Sequence, residues 1–190
     1  SPDLATWGKG IANGFSFCAL TGKKEIMDLG GISNKGEEKV FLISTTHGGE
    51  THAIRAGLKT IEEFKNKNVI KHNHKIGNLI IDKTQEIINR MRLEDFIEIT
   101  PCPWMIVFSF KNNNQDICNG HRTYFLQEMI NENILFQGIF VPCLSHSDKE
   151  VTFFINAFEK VVRKYKAILD SGYKDFLSGE PTKAVFRKYN

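Results

Sequence analysis

Residues 3–14 have the sequence DLATWGKGIANG, in which a short apolar strand leads into a glycine-rich turn that contains one lysine, Lys9. Small neighbours let a bulky planar ligand approach the backbone closely. A lysine at a strand end enclosed by apolar walls can lose the proton of its amine and attack an aldehyde. An exposed turn lysine with no chemical role is the other interpretation of the same pattern. The stretch makes Lys9 a candidate nucleophile.

The first third of the chain predicts strands and helices in alternation. Residues 2–21 indicate a strand, a loop and a second strand, and a short helix is predicted over 25–29. The run VFLIS, residues 40–44, has the length and composition of a buried strand. From Glu50 to about Lys67 the spacing predicts a helix, whose apolar positions are Ala53, Ile54, Gly57, Leu58, Ile61 and Phe64.

The rest of the chain continues this alternation. Helices are predicted over 69–91 and 116–131, and strands over 96–100, 104–110 and 140–144. The first of these helices has the predicted inner face Ile76, Leu79, Ile80, Ile87 and Met91. In the last helix, Ser147 and Glu150 form a capping box. One apolar stripe follows it: Val151, Phe154, Ile155, Phe158, Val161, Val162 and Tyr165.

The order of these elements predicts an α/β fold in two parts. The predicted break lies near residues 66–71, which separates residues 1–68 from residues 69–190. One or two strands that begin at Pro2 cannot bury both faces of a parallel sheet. We therefore expect the rest of that sheet to come from elsewhere.

Composition excludes several classes of function. The 190 residues carry 25 basic and 22 acidic side chains without a basic block, so nucleic acid is not an expected partner. The apolar runs are too short for a membrane helix, and no secretory signal is visible. Four cysteines without a Cys-x-x-Cys pair, and no Asn-x-Ser/Thr acceptor, suit a reducing compartment. We expect a soluble cytoplasmic protein.

The histidines do not have metal-site spacing. His47 and His52 are five residues apart, and His72 and His74 are two apart, so neither pair shares one face of a helix. We therefore predict no metal site. His121 and His146 are interpreted as structural histidines.

Residues 3–14 resemble the signature around the cofactor lysine of class III pyridoxal-phosphate aminotransferases. The six matching positions are Asp3, Leu4, Gly8, Lys9, Asn13 and Gly14. The next residues, ALTGKKEIM at 19–27, are similar to the branch that contains glutamate-1-semialdehyde aminomutase. The resemblance implies that pyridoxal 5'-phosphate is the cofactor and that Lys9 is both its attachment point and the catalytic residue.

A second candidate element lies before the helix that starts at Glu50. Hydroxyls and free backbone N–H groups at a helix start favour an anion such as phosphate, although an ordinary threonine cap uses the same residues. In the family, a threonine at this junction reaches across the dimer interface to the cofactor phosphate. Counting back from Ala56 and Gly57, Thr46 matches that threonine, and Thr45 is the alternative. The resemblance therefore also implies a homodimer.

The resemblance extends over nearly the whole chain, through LSHSD at 144–148 to the tail at 181–190. It implies the C-terminal part of the type I fold of pyridoxal-phosphate-dependent transferases. Residues 1–68 would be the end of the large cofactor-binding domain with a linker helix, and residues 69–190 the small C-terminal α/β domain. The implied substrates are a small-molecule amino donor and a carbonyl acceptor.

Alternatives remain within and outside the family. True aminomutases carry a gating glutamate where Gly138 stands, next to Gln137, so transamination is favoured over aminomutation. Arg55 and Arg122 are carboxylate partners by residue type alone. The family's aspartate, stacking aromatic residue and phosphate-binding loop all precede the lysine, which leaves a non-catalytic dimerisation or binding module as the alternative of another class. We expect negligible turnover from these 190 residues alone.

Overall fold

The computed structural model describes residues 1–31, 38 and 48–183. The chain divides into two compact units, Ser1–Val69 and Ile70–Asn190. The strand predicted over 40–44 and the candidate residues Thr45 and Thr46 lie outside the described residues. Across the described part, no helix combines the length and the apolar character needed to cross a bilayer.

The first unit begins with a hairpin. Strand β1 (Leu4–Trp7) pairs antiparallel with β2 (Ala19–Gly22), and helix α1 (Lys24–Met27) and a 3₁₀ turn at Asp28–Gly30 follow. The predicted order of strand, loop, strand and helix is confirmed. The antiparallel pairing agrees with the loop at 8–18, which lacks the long crossover that parallel neighbours need.

Asp3 and Lys23 connect the two strands at the end of the hairpin opposite its loop. The Lys23 N–H donates to the Asp3 carbonyl oxygen at 2.9 Å, and the Lys23 ammonium contacts the Asp3 carboxylate. Both side chains are more than half exposed. This pair fixes the strand ends that lie farthest from the loop at 8–18.

Helix α2 (Thr51–Asn66) occupies the predicted range. It buries only its small residues, Ala53 and Gly57, and leaves between 37% and 58% of Ile54, Leu58, Ile61 and Phe64 exposed. Ala12 and Val69 are the other buried apolar residues among those described in this unit. The described part of the first unit therefore has little hydrophobic core of its own.

The second unit surrounds a three-stranded antiparallel sheet in the order β3-β4-β5. The sheet consists of β3 (Ile97–Thr100), β4 (Ile106–Phe110) and β5 (Ile139–Phe140). Its helices are α3 (Val69–Met91), α4 (Asn119–Asn131) and α5 (Asp148–Ile168), and a 3₁₀ turn follows at Lys174–Phe176. The predicted inner face of α3 is confirmed, since Ile76, Ile80 and Ile87 are buried and Leu79 and Met91 are partly buried against the core.

Aromatic rings fill the centre of this unit. On β4, Ile106, Phe108 and Phe110 are buried while the residues between them are less so, which is the period of two expected for a strand. The Phe125 ring of α4 lies 4.7 Å from Phe110 and 5.4 Å from Phe158 of α5, between ring centroids. Sheet and helices thus share one core.

Helix α5 has the predicted start. The Ser147 N–H donates to the Glu150 carboxylate at 2.9 Å, and the Ser147 hydroxyl accepts from the Lys149 N–H at 3.3 Å. The capping box is therefore confirmed. Six of the seven predicted stripe residues are buried, and the seventh, Ile155, is partly buried against the same core.

The prediction for β5 was wrong in position. The strand covers Ile139–Phe140 and not 140–144, because Pro142 has no N–H to continue the ladder. The following residues form a turn in which the His146 N–H donates to the Cys143 carbonyl oxygen at 3.0 Å. Pairing with β4 therefore ends at Phe140.

Two other boundaries also differ from the prediction. Strand β4 begins at Ile106 instead of residue 104, because the Met105 N–H closes a turn onto the Cys102 carbonyl oxygen at 2.9 Å. Helix α4 begins at Asn119 instead of residue 116, because the Asn112 side chain accepts from the Asp116 N–H at 3.0 Å in the preceding turn. Local turn contacts shorten both elements.

Candidate functional site

Lys9 lies at the start of a 3₁₀ turn, Lys9–Ile11, directly after β1. Its side chain is exposed, and its φ of 49° is in the left-handed region that non-glycine residues rarely adopt. The turn is closed by the Ile11 N–H, which donates to the Gly8 carbonyl oxygen at 3.2 Å. Such a conformation persists only where the surrounding structure holds it in place.

The space beside Lys9 suits a flat ligand. A Cβ added at Gly8, Gly10 or Gly14 would meet no atom of the described residues within 4 Å, so these residues leave the loop open on its glycine positions. Asn13, like Lys9, has a positive φ of 45°. Within the described residues, the Lys9 ammonium has no hydrogen bond or ion pair. The amine is therefore accessible to an aldehyde such as pyridoxal phosphate, but the described residues do not enclose it in the apolar walls that would favour loss of its proton.

Helix α2 supports the other side of this loop. Ala12 and Ala53 are each 1% exposed. A Cβ at Gly57 would lie 3.2 Å from the Phe17 ring and 3.7 Å from the Ile11 carbonyl oxygen. The small residues of α2 thus let the loop that carries Lys9 lie close to the backbone of the helix.

The phosphate-binding roles of Thr46 and Thr45 stay a prediction, because both residues lie outside the described part. The described residues next to them are Gly48 and Gly49, and Gly49 has a φ of 80°. Helix α2 begins directly after Glu50, where the Ile54 N–H donates to the Glu50 carbonyl oxygen at 3.0 Å. The predicted anion site therefore precedes the helix that supports the Lys9 loop.

The two arginines differ in their contacts. Arg55 of α2 is exposed. Arg122 of α4 donates to the Gln137 carbonyl oxygen at 2.8 Å and to the Thr182 hydroxyl at 3.2 Å. Gly138 has a φ of 77°, and a Cβ there would lie 3.6 Å from Arg122 Nε. The guanidinium of Arg122 thus connects the turn before β5 to the C-terminal residues.

His121 and Tyr165 form a buried polar contact in the second unit. The His121 Nδ1 lies 2.9 Å from the Lys111 carbonyl oxygen and 3.3 Å from the Tyr165 hydroxyl. Burial raises the pKa of Tyr165, with a smaller contribution from Cys118. The contact joins α4 to α5 and to the end of β4, which is a structural role.

His146 lies in the turn before α5. Its Nδ1 accepts from the Cys143 N–H at 3.1 Å, and its ring centroid lies 5.0 Å from that of Phe140. Burial lowers the pKa of His146 below its ordinary value of 6.5; Glu150 opposes this shift, and His72 adds to it. The neutral imidazole is therefore the form that the folded turn prefers.

This preference predicts a pH dependence of stability. Because the pKa of His146 is lower in the folded than in the unfolded chain, its contribution is present above pH 6.5 and is lost as the pH falls below that value. The free energy of unfolding is measured by urea at pH 7.5 and at pH 5. We expect it to fall less between these two pH values for His146→Asn, which keeps a hydrogen-bond acceptor, than for the wild type. Equal losses in both proteins would contradict this role of His146.

The structure also shows a contact that the sequence did not reveal. The indole Nε1 of Trp7 donates to the Thr21 hydroxyl at 2.8 Å, across the hairpin. Trp7 lies opposite Ala19, and Thr21 is two residues farther along β2. The signal that could have found the pair is the register of the hairpin, since residues two apart on a strand share one face.

No group of three histidine, cysteine, aspartate or glutamate side chains within residues 1–31, 38 and 48–183 could hold a metal ion. Lys9 and, outside the described part, Thr46 or Thr45 stay the predicted cofactor-binding residues.

Curated proteins similar to this chain include aminotransferases and aminomutases. A 3-aminobutyryl-CoA aminotransferase of Cloacimonas acidaminovorans (strain Evry) is 26% identical over 171 residues, which cover 89% of this chain and 39% of that protein. A glutamate-1-semialdehyde 2,1-aminomutase of Methanobrevibacter smithii is 31% identical over 148 residues, which cover 75% of this chain and 32% of that protein. The chain thus spans about two fifths or less of the length of either relative.

A solved structure shows the same fold. The pyridoxal-phosphate form of the Sphingopyxis sp. MTA144 FumI protein matches with a TM-score of 0.69 and 18% identity, covering 95% of this chain and 39% of that one. The architecture is therefore α/β and belongs to the type I fold of pyridoxal-phosphate-dependent transaminases. The family model "Aminotransferase class-III" matches residues 1–162. The chain belongs to the class III aminotransferases, whose cofactor is pyridoxal 5'-phosphate.

Proposed function

We propose that this chain is part of a pyridoxal-phosphate-dependent transaminase in which Lys9 carries the cofactor. The observation that carries the proposal is the position of Lys9 on an open glycine-rich loop, inside the range that the family model matches. The cofactor, when bound, supplies the electron sink for amino-group transfer. The described residues supply the amine, the room beside it and the support beneath it.

Lys9 also moves the proton. Its Nζ would be the free amine of the site whenever the cofactor is not attached to it. That nitrogen would accept a proton from the substrate as a general base and then donate it as a general acid. Ala53 and Gly57 support the loop that carries this nitrogen.

We assign the anchoring of the cofactor phosphate to Thr46, with Thr45 as the alternative. The start of α2 directly after these residues supports the assignment, since free N–H groups and the helix dipole attract phosphate. The threonine acts on the cofactor of the other subunit, so the working unit is a homodimer.

We place the protein in the cytoplasm, because its four cysteines, Cys18, Cys102, Cys118 and Cys143, are all free.

Transamination between a small-molecule amino donor and a carbonyl acceptor is favoured over aminomutation. Gly138 has no side chain to act as the gating carboxylate, and Arg122 lies beside it. Glutamate-1-semialdehyde aminomutation stays as the alternative because of the relative in Methanobrevibacter smithii. The two reactions differ in whether an external acceptor is consumed.

We further propose that the 190 residues alone have no transaminase activity, and residues 1–69 support this. Their described part buries few apolar side chains, and the relatives are more than twice as long. A non-catalytic dimerisation or binding module is the alternative function for the isolated chain. The whole activity therefore belongs, in our proposal, to a longer natural protein.

The test compares the natural full-length protein with the 190-residue chain. Each is loaded with pyridoxal phosphate and given L-alanine with 2-oxoglutarate, then a panel of other amino donors, and the carbonyl product is measured. We expect product from the full-length protein only. Turnover by the isolated chain would contradict its inactivity, and isomerisation of glutamate-1-semialdehyde without an acceptor would favour the alternative reaction. The absence of both reactions in the full-length protein would contradict the proposal.

A further inference from the structure

The end of the hairpin next to Lys9 is held by side chains. Trp7 is the last paired residue of β1, and its indole N–H donates to the Thr21 hydroxyl at 2.8 Å on the neighbouring strand. The indole thus reaches back from the last pair of the hairpin to Thr21, which lies opposite Ala5 on the neighbouring strand. The contact ties the start of the Lys9 loop to β2.

Burial does not explain this contact. Trp7 is 52% exposed and Thr21 is also exposed, so water could satisfy both groups. A hydrogen bond between exposed side chains adds little to overall stability. Its effect is therefore local, on the orientation of the strand end.

Between Trp7 and Lys9, the one contact seen among the described residues lies within the loop itself, where the Gly8 carbonyl oxygen accepts from the Ile11 N–H at 3.2 Å. Gly8 is extended, and no atom in the described part of the chain lies within 4 Å of a Cβ added there. On the other side of Lys9, the loop is seated at Ala12, which is 1% exposed. The left-handed backbone of Lys9 thus lies between one packed anchor and one hydrogen-bonded anchor.

We infer that Trp7, held by the Thr21 hydroxyl, is a positioning residue for the Lys9 amine. The inference rests on the proposed function, in which Lys9 carries the cofactor. Trp7 does not take part in the chemistry; it limits the directions in which Gly8 can carry the lysine. The specific group that matters is the hydroxyl of Thr21, since it is the acceptor.

The test uses the full-length natural protein stripped of its cofactor. Pyridoxal phosphate is added, samples are reduced with borohydride at timed intervals, and the modification of each lysine is quantified by peptide mass spectrometry. Thr21→Val keeps the shape but removes the acceptor, and Thr21→Ser restores it. Lys23→Gln is the matched control, because it removes a side-chain contact at the opposite end of the same hairpin.

We expect Thr21→Val and Trp7→Phe to lower the rate of Lys9 modification about three- to tenfold, which is the loss that one hydrogen bond predicts. Thr21→Ser and Lys23→Gln should modify Lys9 at the wild-type rate, and other lysines should be unaffected in all variants. Wild-type rates in both Thr21→Val and Trp7→Phe would overturn the inference while leaving the proposed function intact. No modification of Lys9 in the wild type would overturn the proposed function, and the inference with it.

Discussion

Replacing Gly77 with alanine is expected to lower the free energy of unfolding of residues 70–190 by about 1–3 kcal/mol. A Cβ at Gly77 of α3 would lie 1.8 Å from the Pro103 carbonyl oxygen. Pro103 belongs to the turn between β3 and β4, which is closed by the Met105 N–H. Because the obstacle is backbone, the turn and β4 must shift to make room. The clash outweighs the gain of about 1 kcal/mol that alanine has over glycine inside a helix.

The control for Gly77→Ala is Gly179→Ala, since a Cβ at Gly179 would meet no atom among residues 1–31, 38 and 48–183 within 4 Å. Urea unfolding followed by far-ultraviolet circular dichroism measures both variants against the wild type. We expect Gly179→Ala to unfold at the wild-type midpoint. A Gly77→Ala protein as stable as the wild type would show that α3 and the β3–β4 turn do not approach each other as closely as described.

Replacing Lys9 with alanine is expected to abolish covalent attachment of the cofactor in the full-length protein. Amino transfer should fall by at least about 10²- to 10⁴-fold, which is the contribution of a positioned general acid and base alone. Lys24→Ala is the matched control, because Lys24 is also exposed and lies close in sequence, where its ammonium contacts Asp28. A Lys9→Ala protein with wild-type activity would exclude the role of Lys9.

The helices were the most predictable part of this fold. The stripe that begins at Val151 and the capping box of Ser147 and Glu150 each predict α5, and both are local patterns that the structure reproduces. The inner face of α3 was predictable for the same reason, since helical spacing alone selects Ile76, Ile80 and Ile87.

The short strands were less predictable, because single turn contacts decide their ends. Pro142 and the Cys143–His146 turn remove the predicted second half of β5. The Cys102–Met105 turn likewise removes the predicted start of β4. Such turn hydrogen bonds depend on the backbone conformation of the loop, which the spacing of apolar residues does not predict.

For the candidate site, the sequence predicted Lys9 and its glycine-rich loop but not their three-dimensional contacts. Lys9 was identified from its neighbours in the sequence, whereas its left-handed backbone and the approach of the loop to Gly57 of α2 were not. The contact between Trp7 and Thr21 depends on the register of two strands separated by the loop at 8–18. Tertiary contacts of this kind become visible only in three dimensions.

The attachment of the cofactor is the most direct test of the central claim. The full-length protein, as purified with pyridoxal phosphate, is reduced with borohydride, digested and mapped by mass spectrometry. We predict that the reduced cofactor lies on the peptide that contains Lys9 and on that lysine. A cofactor fixed to another lysine, with Lys9 unmodified, would contradict the assignment of Lys9 as the catalytic residue.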